Sequence, residues 1–256
     1  MSGKAPGSVT VERVGGRATV TWEHGPANVF DIPLLEELTR ALRQEEVQEA
    51  HVVVLRGGGR GWSGGLSVAD HLRPRVSAMF DAFHETLTTL WNLPSPTLAQ
   101  VHGRCLGGGM EMMMACDLAI ASEGATFGQP EIRLGVFAPF GAATYSSLLG
   151  ARAAAELLFV GTPFDAQRAA SVGIVNRVVP EETLDASVAL LAQTLCSHRR
   201  EALRRLKQEL HRPELDPWSR LAHAERTYLH DLMAAPEAEE GLHAFLEKRT
   251  PVWKDG

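Results

Sequence analysis

Two glutamates stand out because their neighbours are small or apolar. Glu111 lies in Gly107-Gly108-Gly109-Met110-Glu111-Met112-Met113-Met114, and Glu131, twenty positions on, in Phe127-Gly128-Gln129-Pro130-Glu131. Burying an ionised carboxylate without a partner costs several kcal/mol, so an acid in an apolar helix normally has a use. Two such acids at one site suit proton transfer, with their roles divided by their surroundings. The glycines add a second chemical element. Unpaired N–H groups at a helix start favour an approaching negative charge, so Gly107 to Gly109 can receive an oxyanion. Periodicity alone leaves a solvated Glu111 open, and Glu131 can equally be a locally paired surface acid.

Other motifs fit less well. Gly59-Arg60-Gly61-Trp62-Ser63-Gly64 has the G-x-G-x-x-G form of a dinucleotide turn, but it follows the third strand, holds a bulky Trp62 and runs long before any helix. Gly61-Trp62-Ser63-Gly64-Gly65 matches G-x-S-x-G, yet its Ser does not come directly after the strand as a nucleophile elbow requires. No Lys follows Gly109 to make a P-loop, and His84-Glu85 lacks the second His of a metalloprotease helix. His71 and His84 read as surface or pocket-lining residues, and Glu237 to Glu240 as a solvated helix start.

The elements that must position the two acids follow from hydrophobic period and turn residues. Val9 to Trp22 reads as a hairpin about Gly15-Gly16. Leu34, Leu35, Leu38 and Leu42 recur at helical spacing, and His51 to Leu55 is a short buried strand. A glycine loop from Gly57 to Gly65, a helix from Arg75 to about Trp91, and a strand from Thr97 to His102 follow. Gly108 to Cys116 reads as a helix, Leu118 to Ala121 as a strand, and Ala125 to Phe127 as a short extended piece. Strand, glycine loop and helix thus occur twice. Ala142 to Leu149, Ala151 to Phe159, Asp165 to Ser171 and Thr183 to Cys196 are mostly helical in pattern, with a strand at Ile174 to Val179. The charged, amphipathic stretch from residue 198 onward, broken by Pro213, Pro217 and Pro236, is a helical C-terminal segment.

Composition bounds the function. The 256 residues are 45% hydrophobic and 22% charged, enough for one large core with a smaller appendage. The formal net charge is −6, and no Lys/Arg run is dense enough to track a nucleic-acid backbone. Cys105, Cys116 and Cys196 are odd in number and sit in apolar or helical contexts, which predicts reduced thiols in a reducing compartment. No apolar run reaches the length of a membrane span, and Met1 to Ser8 has neither a secretion nor a transit pattern, so a cytoplasmic protein is expected.

Taken in order, Gly103-Arg-Cys-Leu-Gly-Gly-Gly-Met-Glu111, Cys116-Asp-Leu-Ala-Ile-Ala121 and Ala125-Thr-Phe-Gly-Gln-Pro-Glu131-Ile-Arg-Leu-Gly135 resemble the signature of the enoyl-CoA hydratase/isomerase (crotonase) family. Pro26 to Phe30, Arg56 to Gly65, Ala166 to Val175 and Glu240 to Arg249 extend the resemblance over nearly the whole chain. It implies an α/β fold: a spiral of repeated ββα units over residues 1–197, holding the active site, and a helical trimerisation region over 198–256. Trimers, or hexamers built as dimers of trimers, are implied with it. The substrates would be acyl-CoA thioesters, with coenzyme A arriving on the substrate and no metal or redox cofactor. By position, the backbone N–H groups of Gly64 and Gly108 would form the oxyanion hole. Glu111 would act on the water and Glu131 on the α-carbon proton. The resemblance assigns CoA contacts to Ala27, Val29, Trp62, Leu66 and Lys248, with Arg56 and Arg60 as further phosphate candidates. Retention of both acids favours hydration or dehydration over isomerisation or decarboxylation; a non-catalytic CoA- or RNA-binding member is the alternative class.

Departures from the family pattern narrow the substrate. Gly65-Leu66-Ser67 stands where many relatives have Gly-Ala-Asp, and Val136-Phe137-Ala138-Pro139-Phe140-Gly141-Ala142-Ala143 replaces a glycine-rich stretch. This segment, with Val68 to His71 and Met79 to His84, resembles the subgroup hydrating cyclic dienoyl-CoA esters and the myxobacterial type of methylglutaconyl-CoA hydratase. The acyl pocket is expected at Met79, Phe83, Phe137 and Phe140. A branched or cyclic acyl group follows, with 3-hydroxy-3-methylglutaryl-CoA and 3-methylglutaconyl-CoA the leading pair. Arg133, His71 and His84 are the cations that could meet a distal carboxylate, and the sequence does not choose among them.

Overall fold

The hairpin forms as the alternation dictates. Strands β1 (Ser8–Val14) and β2 (Arg17–Glu23) pair antiparallel about Gly15, whose φ of +59° suits a residue without Cβ. Ala18, Val20 and Trp22 of β2 point inward. Helix α1 (Ile32–Leu42) starts where the Asp31 carboxylate accepts the Leu34 N–H at 3.1 Å, and it buries Leu34, Leu35, Leu38 and Leu42. A short α2 (Glu45–Gln48) leads to β3 (Val52–Gly57), then α3 (Val76–Trp91) and β4 (Thr97–Val101). The computed structural model describes residues 7–211, 247–250 and 252. Pro213, Pro217, Pro236, Glu237 to Glu240 and most of the expected C-terminal segment lie outside the described residues.

Next come β5 (Arg104–Leu106), α4 (Gly108–Met114), β6 (Leu118–Ser122), β7 (Thr126–Gly128), α5 (Pro139–Leu149), α6 (Ala151–Val160), β8 (Phe164–Asp165), α7 (Ala166–Ser171), β9 (Arg177–Val179), α8 (Leu184–Cys196) and α9 (Arg200–Leu210). Two sheets result: six strands in the order β1-β2-β3-β4-β6-β9, parallel from β2 onward, and three in the order β5-β7-β8. Two turns of the spiral, β4–β5–α4 and β6–β7–α5, send one strand to the large sheet and the next to the small one, then return through a helix. The second sheet is a finding that period reading misses, because strands of two or three residues carry no measurable alternation.

The central strands β3, β4 and β6 are buried on both faces, as helices covering both sides require. Val53, Leu55, Ala99, Val101, Ala119 and Ala121 join the main core with α1, α3 and α4. The alternate residues Val52, Val54, Leu98 and Ile120 meet Leu184, Val188 and Ala192 of α8. Helix α9 is fastened by charge. Lys207 Nζ lies 2.8 Å from Asp117 Oδ2 and donates to the Ser95 carbonyl at 3.1 Å, and His211 Nε2 reaches Asp117 Oδ1 at 2.8 Å. Against the burial that opposes them, hydrogen bonds from His211, Lys207 and Thr97 and the charge of Lys207 hold the Asp117 carboxyl down to about 2.

Candidate active site

Glu111 sits on α4, a helix whose residues are all buried, and is itself only 1% exposed. Its Oε1 accepts the Gly141 N–H at 2.9 Å, in the first turn of α5. Burial pushes its carboxyl up to about 7, opposed by the N–H groups of Gly141 and Phe140 and reinforced by the charge of Glu131. An acid at that value is poised to exchange protons near neutral pH. The segment from Val136 to Ala143, singled out as an acyl-pocket change, therefore also caps Glu111.

Glu131 is half-buried in a 3-10 turn, Pro130–Leu134, with its carboxyl also raised by burial. It faces a cavity of about 270 Å³ whose wall includes Gly64, Gly65, Leu66, His71 and Gly107. Its Oε2 is buried without a protein partner among the described residues, leaving that oxygen for a ligand. Gly107 joins the two acids' supports. Its φ is +53°, and a Cβ there would stand 2.6 Å from Glu131 Oε1. A Cβ on Gly108 or Gly109 would strike Leu66 or Ser63. The glycine run is thus a close approach of α4 to the loop at 63–66 as well as a helix start.

The oxyanion donors need a correction. The Gly64 N–H is already donated to the Ala27 carbonyl at 2.7 Å, and the Gly65 N–H to Ser63 Oγ at 3.0 Å. Leu66, bridged to Phe30 through the flanking Gly65 carbonyl and Ser67 N–H, keeps its own N–H free of any protein acceptor among the described residues. The Gly108 N–H, in the first turn of α4, is free in the same sense. The Leu66 side chain packs directly on Gly108, which brings the two residues together.

The remaining expected site residues divide. Ala27 and Val29 are half-buried and flank Asn28, which the sequence reading passed over. Asn28, at φ +48°, donates from Nδ2 to the Gly58 and Gly61 carbonyls at 2.8 and 2.7 Å and accepts the His24 N–H, while its own carbonyl takes the Ser63 hydroxyl. The signal was present: Asn after Pro-Ala, in a turn, tolerates left-handed backbone. Ser63, so engaged and 1% exposed, is no nucleophile. Trp62 is wholly buried, its indole donating to the Gly109 carbonyl at 2.7 Å, its N–H to His102 and its carbonyl accepting from Trp22, so it braces the loop and offers CoA nothing. Lys248 is exposed, in left-handed backbone. Arg60 is exposed, and Arg56 approaches Asp185 at 4.0 Å.

None of the four expected pocket residues is on the wall beside Glu131. Met79 and Phe83 are core, Phe137 is 65% exposed, and Phe140 lines a separate cavity with His84 and Trp91. Leu66, Val68, Leu72, Leu134 and Val136 form the apolar wall instead. Helical period identifies α3's inward face but not which cavity that face meets. Among the described residues no cluster of three or more His, Cys, Asp and Glu could hold a metal, and no helix is long and apolar enough to cross a membrane.

The sequence profile described as enoyl-CoA hydratase/isomerase matches residues 15–256. The chain belongs to the enoyl-CoA hydratase/isomerase family. Among its relatives, the cyclohexa-1,5-dienecarbonyl-CoA hydratase of Thauera aromatica is 30% identical over 98% of both chains. A probable enoyl-CoA hydratase of Mycobacterium bovis is 30% identical over 95% of this chain and 96% of its own. The solved enoyl-CoA hydratase of Bacillus anthracis superposes with a TM-score of 0.89 at 28% identity, over 97% of this chain and 99% of that one. As an enoyl-CoA hydratase/isomerase family member the protein has the crotonase fold, a spiral of mixed sheets and helices, and the expectation drawn from its motifs holds.

Proposed function

We propose that this protein is an acyl-CoA hydro-lyase, adding water across the double bond of an enoyl-CoA or removing it from the 3-hydroxyacyl-CoA. The observation that carries this is the coexistence of Glu111, held near 7 by burial against the N-terminus of α5, with Glu131, whose free oxygen faces the cavity. In this reading Leu66 and Gly108 N–H groups receive the thioester oxygen as negative charge develops on it; each such donor is worth about 3 kcal/mol in a dry site. That charge polarises the double bond. Glu111 takes a proton from water as its oxygen attacks the β-carbon, Glu131 delivers a proton to the α-carbon, and dehydration reverses both steps. The pair titrates as a unit. The chemistry calls for no metal or redox cofactor, and coenzyme A enters as part of the substrate.

A branched or cyclic acyl group fits this reading, with 3-hydroxy-3-methylglutaryl-CoA and 3-methylglutaconyl-CoA leading. Support comes from the apolar cavity wall of Leu66, Val68, Leu72, Leu134 and Val136. The likeness to the Thauera hydratase favours a cyclic dienoyl-CoA as second substrate. Ala27, Val29 and Leu66 would contact CoA, and Lys248 its phosphates in a neighbouring subunit. A trimer or a dimer of trimers is supported by Phe159 and Leu210, which are 77% and 71% exposed. Three free cysteines suit a reducing, cytoplasmic setting.

The test is loss of enoyl-thioester absorbance across a panel of acyl-CoA substrates, with wild type, Glu111→Gln and Glu131→Gln. Both variants are expected to lose about 100-fold or more in kcat. Wild-type turnover in both variants would end the two-carboxylate mechanism, and release of CO₂ without hydration would favour decarboxylation.

A further inference from the structure

Among the described residues the cavity beside Glu131 holds one other titratable side chain, His71, on an otherwise apolar wall. His71 closes a 3-10 turn, Val68–His71, and its Nδ1 lies 2.9 Å from the Ser67 carbonyl oxygen. A carbonyl only accepts, so Nδ1 carries hydrogen and Nε2 is the ring's unengaged corner. Phe80 meets the ring edge-on, with centroids 6.4 Å apart, and itself stacks on His84. The imidazole is therefore held in place from two sides. Among the described residues nothing bonds Nε2, and Glu131, although on the same wall, lies beyond ion-pair distance.

Neither of the other two basic residues that the sequence offered lines this cavity. The Arg133 side chain lies along Gly161, where a Cβ would meet its Cγ at 3.3 Å, and His84 lines the separate cavity with Trp91 and Phe140. Among the described residues one group that can carry positive charge thus remains on the wall. Filling the cavity with a purely apolar acyl chain would strip Nε2 of water and give it no partner, a cost paired charge avoids.

We propose that His71 is a specificity-determining residue that receives a carboxylate at the far end of the acyl chain. The inference rests on the hydro-lyase reading and deepens it: the substrate class becomes enoyl-CoA or 3-hydroxyacyl-CoA thioesters of dicarboxylic acids. In the complex the ring donates Nε2–H to the carboxylate, while Nδ1–H stays on Ser67. A charge-assisted bond of this kind separates a carboxylate from its uncharged isostere.

The experiment compares kcat/KM for 3-methylglutaconyl-CoA and for its ω-carboxamide, which keeps the shape and loses the charge, using wild type, His71→Leu and His71→Lys. Wild type is expected to prefer the carboxylate. His71→Leu should lose about 10- to 100-fold on it, mostly in KM, and change less than about threefold on the amide, with His71→Lys recovering part of the loss. An equal loss on both thioesters would overturn the proposal, since His71 would then act through Glu131 or the fold; no loss on either would overturn it too. Turnover of crotonyl-CoA by a wild type inert toward both test thioesters would sink this inference and leave the hydro-lyase reading standing. Silence toward all three would remove the hydro-lyase reading first and this one with it.

Discussion

Replacing Glu111 by Gln should stabilise the protein at alkaline pH while disabling it. The carboxyl rises from 4.5 to about 7 on folding, chiefly by burial. Below about pH 4.5 it is protonated in both folded and unfolded chains and contributes no difference. As pH climbs through 7 the unfolded chain already carries the charge in water, whereas the folded one must hold it at 1% exposure. Wild type therefore loses about 3 kcal/mol across that interval, the free-energy equivalent of the rise. Gln has no proton to lose, and its amide oxygen can still accept the Gly141 N–H. Any fixed cost of the extra amide hydrogens, about 1 kcal/mol, is the same at both ends. The assay is urea unfolding of both proteins at pH 4.5 and 8.5, at one protein concentration so that assembly cancels. The stability of Glu111→Gln relative to wild type should rise by about 3 kcal/mol between the two pH values. A difference that stays within about 0.5 kcal/mol, or moves the other way, would refute the claim that Glu111 is charged at a real cost, and with it the account of its poise as a base.

Gly107→Ala places a Cβ 2.6 Å from Glu131 Oε1 on left-handed backbone; turnover should fall at least about tenfold while melting reports a loss of only about 1–2 kcal/mol. Lys207→Met removes the ammonium from Asp117 and the Ser95 carbonyl while His211 and Thr97 still hold the carboxylate, and should cost about 1–3 kcal/mol in denaturant unfolding. Asp117 itself, held at about 2 against 3.8, lends stability that is present above pH 3.8 and disappears as pH falls through 2. Acid unfolding should show about 2 kcal/mol of it, absent in Asp117→Asn.

Much of the fold was legible because long elements carry strong periods. The leucines of α1, the β1–β2 hairpin and the strands β3, β4 and β6 are where alternation, helical spacing and glycine placed them. The small sheet was not, since β5, β7 and β8 are too short to show a period and exist through pairing across the spiral. Glu111 and Glu131 could be singled out because an acid among glycines and methionines contradicts its surroundings. Trp62 as a CoA contact and Gly64 as a donor failed for one reason: a glycine-rich loop does not reveal which of its amides the rest of the chain consumes. Ala27 and His102 take the Gly64 and Trp62 N–H groups, and Trp22 and Asn28 the Trp62 and Gly61 carbonyls.

The residue types alone thus determined that the chain could carry two buried acids behind a glycine turn, and the order of its motifs determined its family. Tertiary structure decided what local pattern cannot encode. It set which N–H groups are free, at Leu66 and Gly108, because hydrogen bonding is settled by partners distant in sequence. It raised Glu111 to about 7, because burial is a property of everything packed around a side chain. And it put His71, rather than Arg133 or His84, on the wall facing Glu131, because a cavity belongs to several elements at once.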